Sequence, residues 1–232
     1  MKILPIHTKL FEANSKGSLL ICGAEHGYSK RDLKQDSMGI DRINERRSFF
    51  SDSSVNNYPF RNTIVNWFKL WGYSLSNNLD TVTEFDKSIV QCNWLQTSAN
   101  NMKGRNTARE YIDASSDFLL ICKELKPSLI IFISTKLHEA FSSDDLSGQV
   151  EDIFGKRISS LEFKQNEVKN PLTGKNYIKF KIGFQKYEKV DIISLPHATG
   201  AQGLSHEYIS SFKDDIRQII DAWWSLKEKN EK

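Results

Sequence analysis

Two apolar runs, far apart in the chain, stop abruptly at small residues beside a carboxylate or a histidine. The first is Leu19-Leu20-Ile21-Cys22-Gly23-Ala24-Glu25-His26-Gly27, and the second is Val190-Asp191-Ile192-Ile193-Ser194-Leu195-Pro196-His197-Ala198-Thr199-Gly200. Short apolar runs of this kind suit strands buried on both faces, the condition of a parallel sheet covered by helices. Ser88 to Asn93 and Leu129 to Ile133 have the same character. The segments between them carry helical spacing. One begins near Phe60, places Ile64, Trp67, Phe68 and Trp71 on one face, and has Gly72 just past its end. A second, of about fifteen residues, carries Tyr111, Ala114, Phe118, Leu119, Cys122 and Leu125 and is closed by Pro127. A short helix is expected around Lys136 to Phe141. A final one, capped by Ser205, turns Tyr208, Ile209, Phe212, Ile216, Ile219, Ile220 and Trp223 inward. The alternation predicts an α/β fold of three αβα layers, with a central, mostly parallel sheet of about four to five strands.

The remaining segments are less regular. Residues 27–59 form a long polar stretch, and a loop of that size in a folded unit is usually functional or disordered. Gln96 to Arg109 reads as another loop. Asp144-Asp145, Gly148 and Gly174 suggest loops around short elements over 142–174. Tyr177 to Phe184 reads as an edge strand in a hairpin, and the charged tail from Lys227 as frayed. The 232 residues suit one domain spanning 1–232.

Composition narrows the function classes. No apolar run approaches the roughly 18 residues that cross a bilayer, and the first residues turn polar too soon for a secretory signal. A cytoplasmic protein with no membrane partner is expected. Cys22, Cys92 and Cys122 sit in apolar surroundings without a C-x-x-C pairing, which argues against structural zinc, iron–sulfur clusters and a disulfide framework. The histidines lack ligand spacing, so no metal and no cofactor are expected; His7, His138 and His206 read as structural or solvated. A net charge of +3 is weakly suggestive of a polyanionic partner. Basic residues cluster at Lys30-Arg31, at Arg42, Arg46 and Arg47 ahead of Phe49-Phe50, and at Lys103 and Arg105. Gly200-Ala201-Gln202-Gly203, just before a helix, suits a DNA-backbone contact through N–H groups.

Ligands of open α/β sheets collect beyond the carboxyl ends of the strands. Those ends carry Glu25 and His26, Asn93, and His197. A carboxylate, an amide and an imidazole around one cavity suit hydrolysis of a nucleoside. The carboxylate orients water or stabilises an oxocarbenium-like sugar, and the imidazole donates to the departing base as negative charge develops. The amide offers a donor and an acceptor to a base edge, and Phe49 or Phe50 supplies a ring to stack on it.

At these residues the chain resembles the uracil-DNA glycosylase superfamily. Gly23-Ala24-Glu25-His26-Gly27 is similar to that family's first motif, and the arginine-rich segment with Phe49-Phe50 to the one supplying its stacking aromatic. Pro59-Phe60-Arg61-Asn62 resembles the entrance to its next helix. Ile89-Val90-Gln91-Cys92-Asn93 resembles the strand ending in its base-reading asparagine. Glu124-Leu125-Lys126-Pro127 is similar to its helix-to-strand joint, and His197-Ala198-Thr199 to its H-P-S motif. Leu204 falls where the family places a wedge residue. The chain departs from the pattern at Glu25, where many members have Asp or Asn, at His26 and Ala198 in place of prolines, and at Pro196, which precedes the histidine.

The resemblance implies a DNA glycosylase acting as a monomer on DNA. It would hydrolyse the N-glycosidic bond of a flipped pyrimidine and leave an abasic site. Glu25, His26 and His197 would be catalytic; Asn93, Phe49, Phe50 and Gly27 would hold the base; Leu204, Thr199, Arg46 and Arg47 would touch DNA. Gly27 stands where uracil-specific members carry a tyrosine against the pyrimidine C5. Its small size suits a C5-substituted base, such as a hypermodified cytosine of phage DNA. Two other readings remain open: a decayed nucleic-acid-binding module on the same fold, and an unrelated α/β hydrolase of small nucleosides or esters. The absence of a G-x-S-x-G elbow weakens the last.

Overall fold

Strand β1 (Leu19–Gly23) is buried along its whole length, as its unbroken apolar run requires. It sits between β3 (Ile89–Asn93) and β5 (Leu129–Phe132), and β8 (Asp191–Ser194) continues the sheet beyond β5. These four strands are parallel. The computed structural model describes residues 4–27, 48–52, 58–99, 107–169, 173–175, 180–199, 201 and 203–230; for 26, 27, 98, 99 and 230 it describes the backbone alone.

Alternate residues of each strand face opposite layers. Leu20, Cys22, Val90, Cys92, Ile130, Phe132 and Ile192 pack against the helices Ala108–Asp113, Ser116–Leu125, Thr135–Phe141 and Asp144–Phe154. Leu19, Ile21, Ile89, Leu129, Ile131 and Ile193 pack against Pro59–Trp71, His206–Ser210 and Lys213–Asn230. The three αβα layers expected from the sequence are present.

The sheet itself departs from the expected mostly parallel sheet of about four to five strands. Among the described residues it has six strands and is mixed: with β6 over Glu162–Lys164 and β7 over Ile182–Lys186, the order is β3-β1-β5-β8-β7-β6. β7 (Ile182–Lys186) is antiparallel to β8 because Tyr187 N–H bonds to Val190 O at 2.9 Å and closes a tight turn between them. β7 is not the edge. β6 (Glu162–Lys164) pairs outside it, antiparallel.

Three helices also differ from expectation. The helix expected across Tyr111 to Leu125 is two helices, broken at Ala114 and Ser115. The indole N–H of Trp94 donates to Tyr111 O at 2.8 Å. That carbonyl is thereby taken from the helical ladder, and Ser115 N–H turns to Ile112 O instead. Residues 142–174 contain a full helix, Asp144–Phe154, where loops were expected. Asp144 and Asp145 lie in its first turn, where negative charge favours the helix dipole, and Leu146, Val150 and Phe154 form its buried stripe. The last helical segment breaks at Ser211, whose carbonyl accepts from Asn166 Nδ2 at 2.9 Å.

The tail expected to fray from Lys227 continues as helix to Asn230. Trp223 Nε1 donates to Gly17 O at 3.0 Å and Lys227 Nζ to Lys16 O at 3.3 Å, so the last helix clasps the turn that opens β1. Gly72 ends the helix Pro59–Trp71 in the left-handed conformation, with φ 100°. Among the described residues no helix is long and apolar enough to cross a membrane.

Candidate functional site

The carboxyl ends of the parallel strands carry the candidate site. Gly23 and Asn93 are register partners at the ends of β1 and β3. Parallel pairing continues beyond them, with Trp94 N–H bonding to Gly23 O and Leu95 N–H to Ala24 O, both at 2.8 Å. The Asn93 carboxamide is buried and lies against Gly23. A Cβ on Gly23 would stand 2.5 Å from Asn93 Oδ1 and 3.4 Å from the tip of the Phe60 ring. Glycine is therefore required here by close approach, and the Asn93 carboxamide and the Phe60 ring meet over it.

Phe60 enters from the first turn of the helix Pro59–Trp71. Its ring centroid is 6.2 Å from that of His197, the planes inclined at 59°. One ring thus joins the end of β3 to the loop after β8. His197 is half-buried, and burial lowers its pKa from the ordinary 6.5. The Thr199 N–H donates to His197 Nδ1 at 3.3 Å, and the Thr199 hydroxyl lies 3.5 Å from the same nitrogen. An Nδ1 that accepts carries no proton, so the neutral ring bears its hydrogen on Nε2.

Glu25 follows β1 by two residues. Its Oε2 accepts from the Thr97 hydroxyl at 3.0 Å. Its Oε1 is shut off from solvent and meets no hydrogen-bond donor among the described residues. The neighbouring Tyr111 phenol is pushed up by its own burial and then by the Glu25 charge. Just beyond, β2 (His26–Gly27) and β4 (Ser98–Ala99) pair in parallel, His26 with Ser98.

The other residues named from the sequence divide clearly. Phe49 and Phe50 are both 2 % exposed. Phe50 packs with Ile64, Trp67 and Phe68 in the apolar cluster on one face of the sheet. The segment they stand on is held by Arg61, whose buried guanidinium donates to Phe50 O and Ser51 O, each at 2.6 Å. Leu204 is half-buried against the same cluster. Thr199 is exposed and orients His197. The His26 side chain, Arg46 and Arg47 lie outside the described residues, as do Lys30, Arg31, Arg42, Lys103, Arg105, Gly200 and Gln202; Gly27 is described as backbone in β2.

His138 is fully buried, with Nδ1 2.9 Å from Ser194 Oγ and Nε2 3.1 Å from Gln185 Oε1. Burial drives its pKa down to about 3. It is a structural histidine, one of the two roles expected for it from the sequence. Among the described residues no group of three or more His, Cys, Asp or Glu could hold a metal ion.

Phe60 and Thr97 are the residues the sequence reading missed. Phe60 looked like a helix entrance, and its helical start at Pro59 is all that sequence shows of it. Thr97 shows no local signal, since its place beside Glu25 comes from strand pairing. No protein-family model and no curated protein matches the chain.

Proposed function

We propose that the chain is a monofunctional DNA glycosylase that hydrolyses the N-glycosidic bond of a flipped pyrimidine. The observation that carries this reading is the state of His197: a half-buried imidazole whose Nδ1 is occupied by the Thr199 N–H, sharing the Phe60 ring with Asn93. A neutral imidazole donating from Nε2 suits a base that gains negative charge as its bond to the sugar breaks. The Asn93 carboxamide offers both donor and acceptor to the base edge and reads uracil or cytosine according to which way it is turned.

The bond between the sugar C1′ and the base nitrogen breaks with its electron pair passing to the base. Water adds its oxygen to C1′ and its released proton passes to the Glu25 carboxylate; the departing base anion takes up a proton from solvent, and Glu25 returns its own to solvent. An abasic sugar and a free base result. Flipping costs roughly a few kcal/mol, which stacking and edge contacts offset. The first choice of substrate is a C5-substituted pyrimidine, such as a modified cytosine of phage DNA, because Gly27 brings no side chain to the C5 side. The reading has the enzyme acting on DNA in the cytoplasm as a monomer, without metal or cofactor.

The test is product analysis on duplexes carrying uracil, thymine mispairs and modified cytosines, and on phage DNA, repeated with His197→Ala and Asn93→Ala. Abasic product that both substitutions abolish supports the proposal. Release of uracil alone refutes the C5-substituted choice. Duplex binding with no abasic product from any substrate overturns the enzymatic reading in favour of a binding module.

A further inference from the structure

Resting on the glycosylase reading and its C5-substituted substrate, we infer that Gln96 is a specificity-determining residue that hydrogen-bonds a hydroxyl carried by the substituent on the pyrimidine C5. The strand register brings its side chain to the mouth of the site. Gly23 pairs with Asn93, yet three residues later His26 pairs with Ser98, five residues beyond Asn93, so the second segment carries two more residues between the same pairings. The excess falls between Leu95, still bonded to Ala24, and Ser98. Gln96 and Thr97 form this bulge, and both are exposed, whereas Asn93 and Trp94 just before them are buried. Bulges of this kind re-aim side chains beside a site. The Thr97 hydroxyl turns to Glu25 Oε2 at 3.0 Å, and Gln96 folds back so that its Nε2 donates to Asn93 O at 3.1 Å.

That bond tethers an exposed carboxamide to the residue whose own carboxamide is buried, 6 % exposed, at the end of β3. In the proposed reading Asn93 holds the base by N3 and the group on C4. C5 is the ring atom next to C4, so a substituent there leaves the ring on the side of the group that Asn93 holds. Gln96, bonded to that same residue, is open to solvent. One of its amide hydrogens is committed to the Asn93 carbonyl, which also fixes which end of the carboxamide is turned inward. The second hydrogen and Oε1 remain to meet a ligand. A hydroxyl both donates and accepts, so it replaces the water that the amide loses when the base enters. A hydrogen or a methyl at C5 does neither and leaves the amide poorly paired. Gln96 thus selects for a hydroxyl, whereas the room for a substituent of any kind is the part assigned to Gly27.

Single-turnover release is measured on duplexes that differ at one pyrimidine: thymine against 5-hydroxymethyluracil, 5-methylcytosine against 5-hydroxymethylcytosine and its O-glucosylated form, and uracil. The full chain is used as wild type and as Gln96→Leu, which keeps the size and removes the amide. Affinity for a duplex bearing an abasic site reports whether the variant still folds and holds DNA. Wild type is expected to release the hydroxyl-bearing bases roughly tenfold faster than their methyl counterparts. Gln96→Leu lowers release of the hydroxyl-bearing bases by about the same factor and leaves the other bases and the abasic-site affinity within about twofold of wild type. No preference in wild type, a preference that survives Gln96→Leu, or an equal loss on uracil or in abasic-site affinity each overturns the inference, while release of any base by wild type leaves the glycosylase reading standing. Wild type that releases no base from any of these duplexes overturns both.

Discussion

Phe60 and His197 are 137 positions apart in the chain, and their rings meet at a centroid distance of 6.2 Å. The tip of the Phe60 ring also reaches the space over Gly23 that the Asn93 carboxamide occupies. A single ring therefore lies near both the amide at the end of β3 and the imidazole after β8.

Gly23→Ala tests that close approach. The added methyl would stand 2.5 Å from Asn93 Oδ1, so the carboxamide must move. Overpacking of this kind costs roughly 1–3 kcal/mol. Urea denaturation is expected to show a loss in that range, with base release reduced far more than the stability change explains. Unchanged selectivity among bases would place the carboxamide outside base recognition.

The pH dependence of base release follows from His197. Burial lowers its pKa below 6.5, so the ring is neutral above that value and, as pH falls through the lowered one, gains a second proton while keeping its Nε2 hydrogen. Protonation puts a hydrogen on Nδ1 against the Thr199 N–H. A fall in rate on the acid side, centred below pH 6.5, is expected. His197→Gln should remove that component and slow release about a hundredfold or more. A limb centred above pH 6.5 counts against the assignment.

His138 predicts a stability effect independent of activity. The folded protein binds its proton only near pH 3, whereas the unfolded chain does so near 6.5. Between those values the unfolded state takes the extra proton. The stability due to this residue is whole above pH 6.5 and is lost as pH falls towards 3. Its slope reaches at most about 1.4 kcal/mol per pH unit. His138→Phe is less stable at neutral pH, because Ser194 and Gln185 lose their partner, but its unfolding free energy should vary less steeply with pH between 6.5 and 5. Equal slopes in urea melts at several pH values would refute this.

Arg61 anchors the segment bearing Phe49 and Phe50 by donating to two backbone carbonyls. Arg61→Met removes both donors and is expected to cost about 2–4 kcal/mol. Arg61→Lys should restore only part of this, since an ammonium cannot reproduce the planar fork. The check is denaturant unfolding of both variants, alongside limited proteolysis of the segment. Full recovery in the lysine variant would mean that charge, not geometry, holds it.

The parts of the fold that were legible are those governed by local pattern. β1, β3, β5 and β8 announce themselves because a strand covered on both faces needs an unbroken apolar run. β6 does not, because Glu162–Lys164 is short and polar and becomes a strand only by pairing with β7. The break at Ala114 depends on Trp94, a residue twenty positions earlier by number, whose indole competes for a helical carbonyl. Gly148 concealed a helix whose buried stripe, Leu146, Val150 and Phe154, was nonetheless in plain helical spacing. The site divides in the same way. Asn93 and His197 stand where apolar runs stop, which sequence shows directly. Phe60 and Thr97 gain their places from tertiary packing and from a register offset, neither of which leaves a local trace.

The clasp of Trp223 and Lys227 on the Gly17 turn bears on synthesis at the ribosome. The strand leading to Glu25 emerges ahead of the brace at its root, whose contacts span 206 and 211 positions of the chain. A nascent chain thus carries its acidic group long before the surrounding architecture can steady it. The clasp forms only after Trp223 and Lys227 have left the exit tunnel.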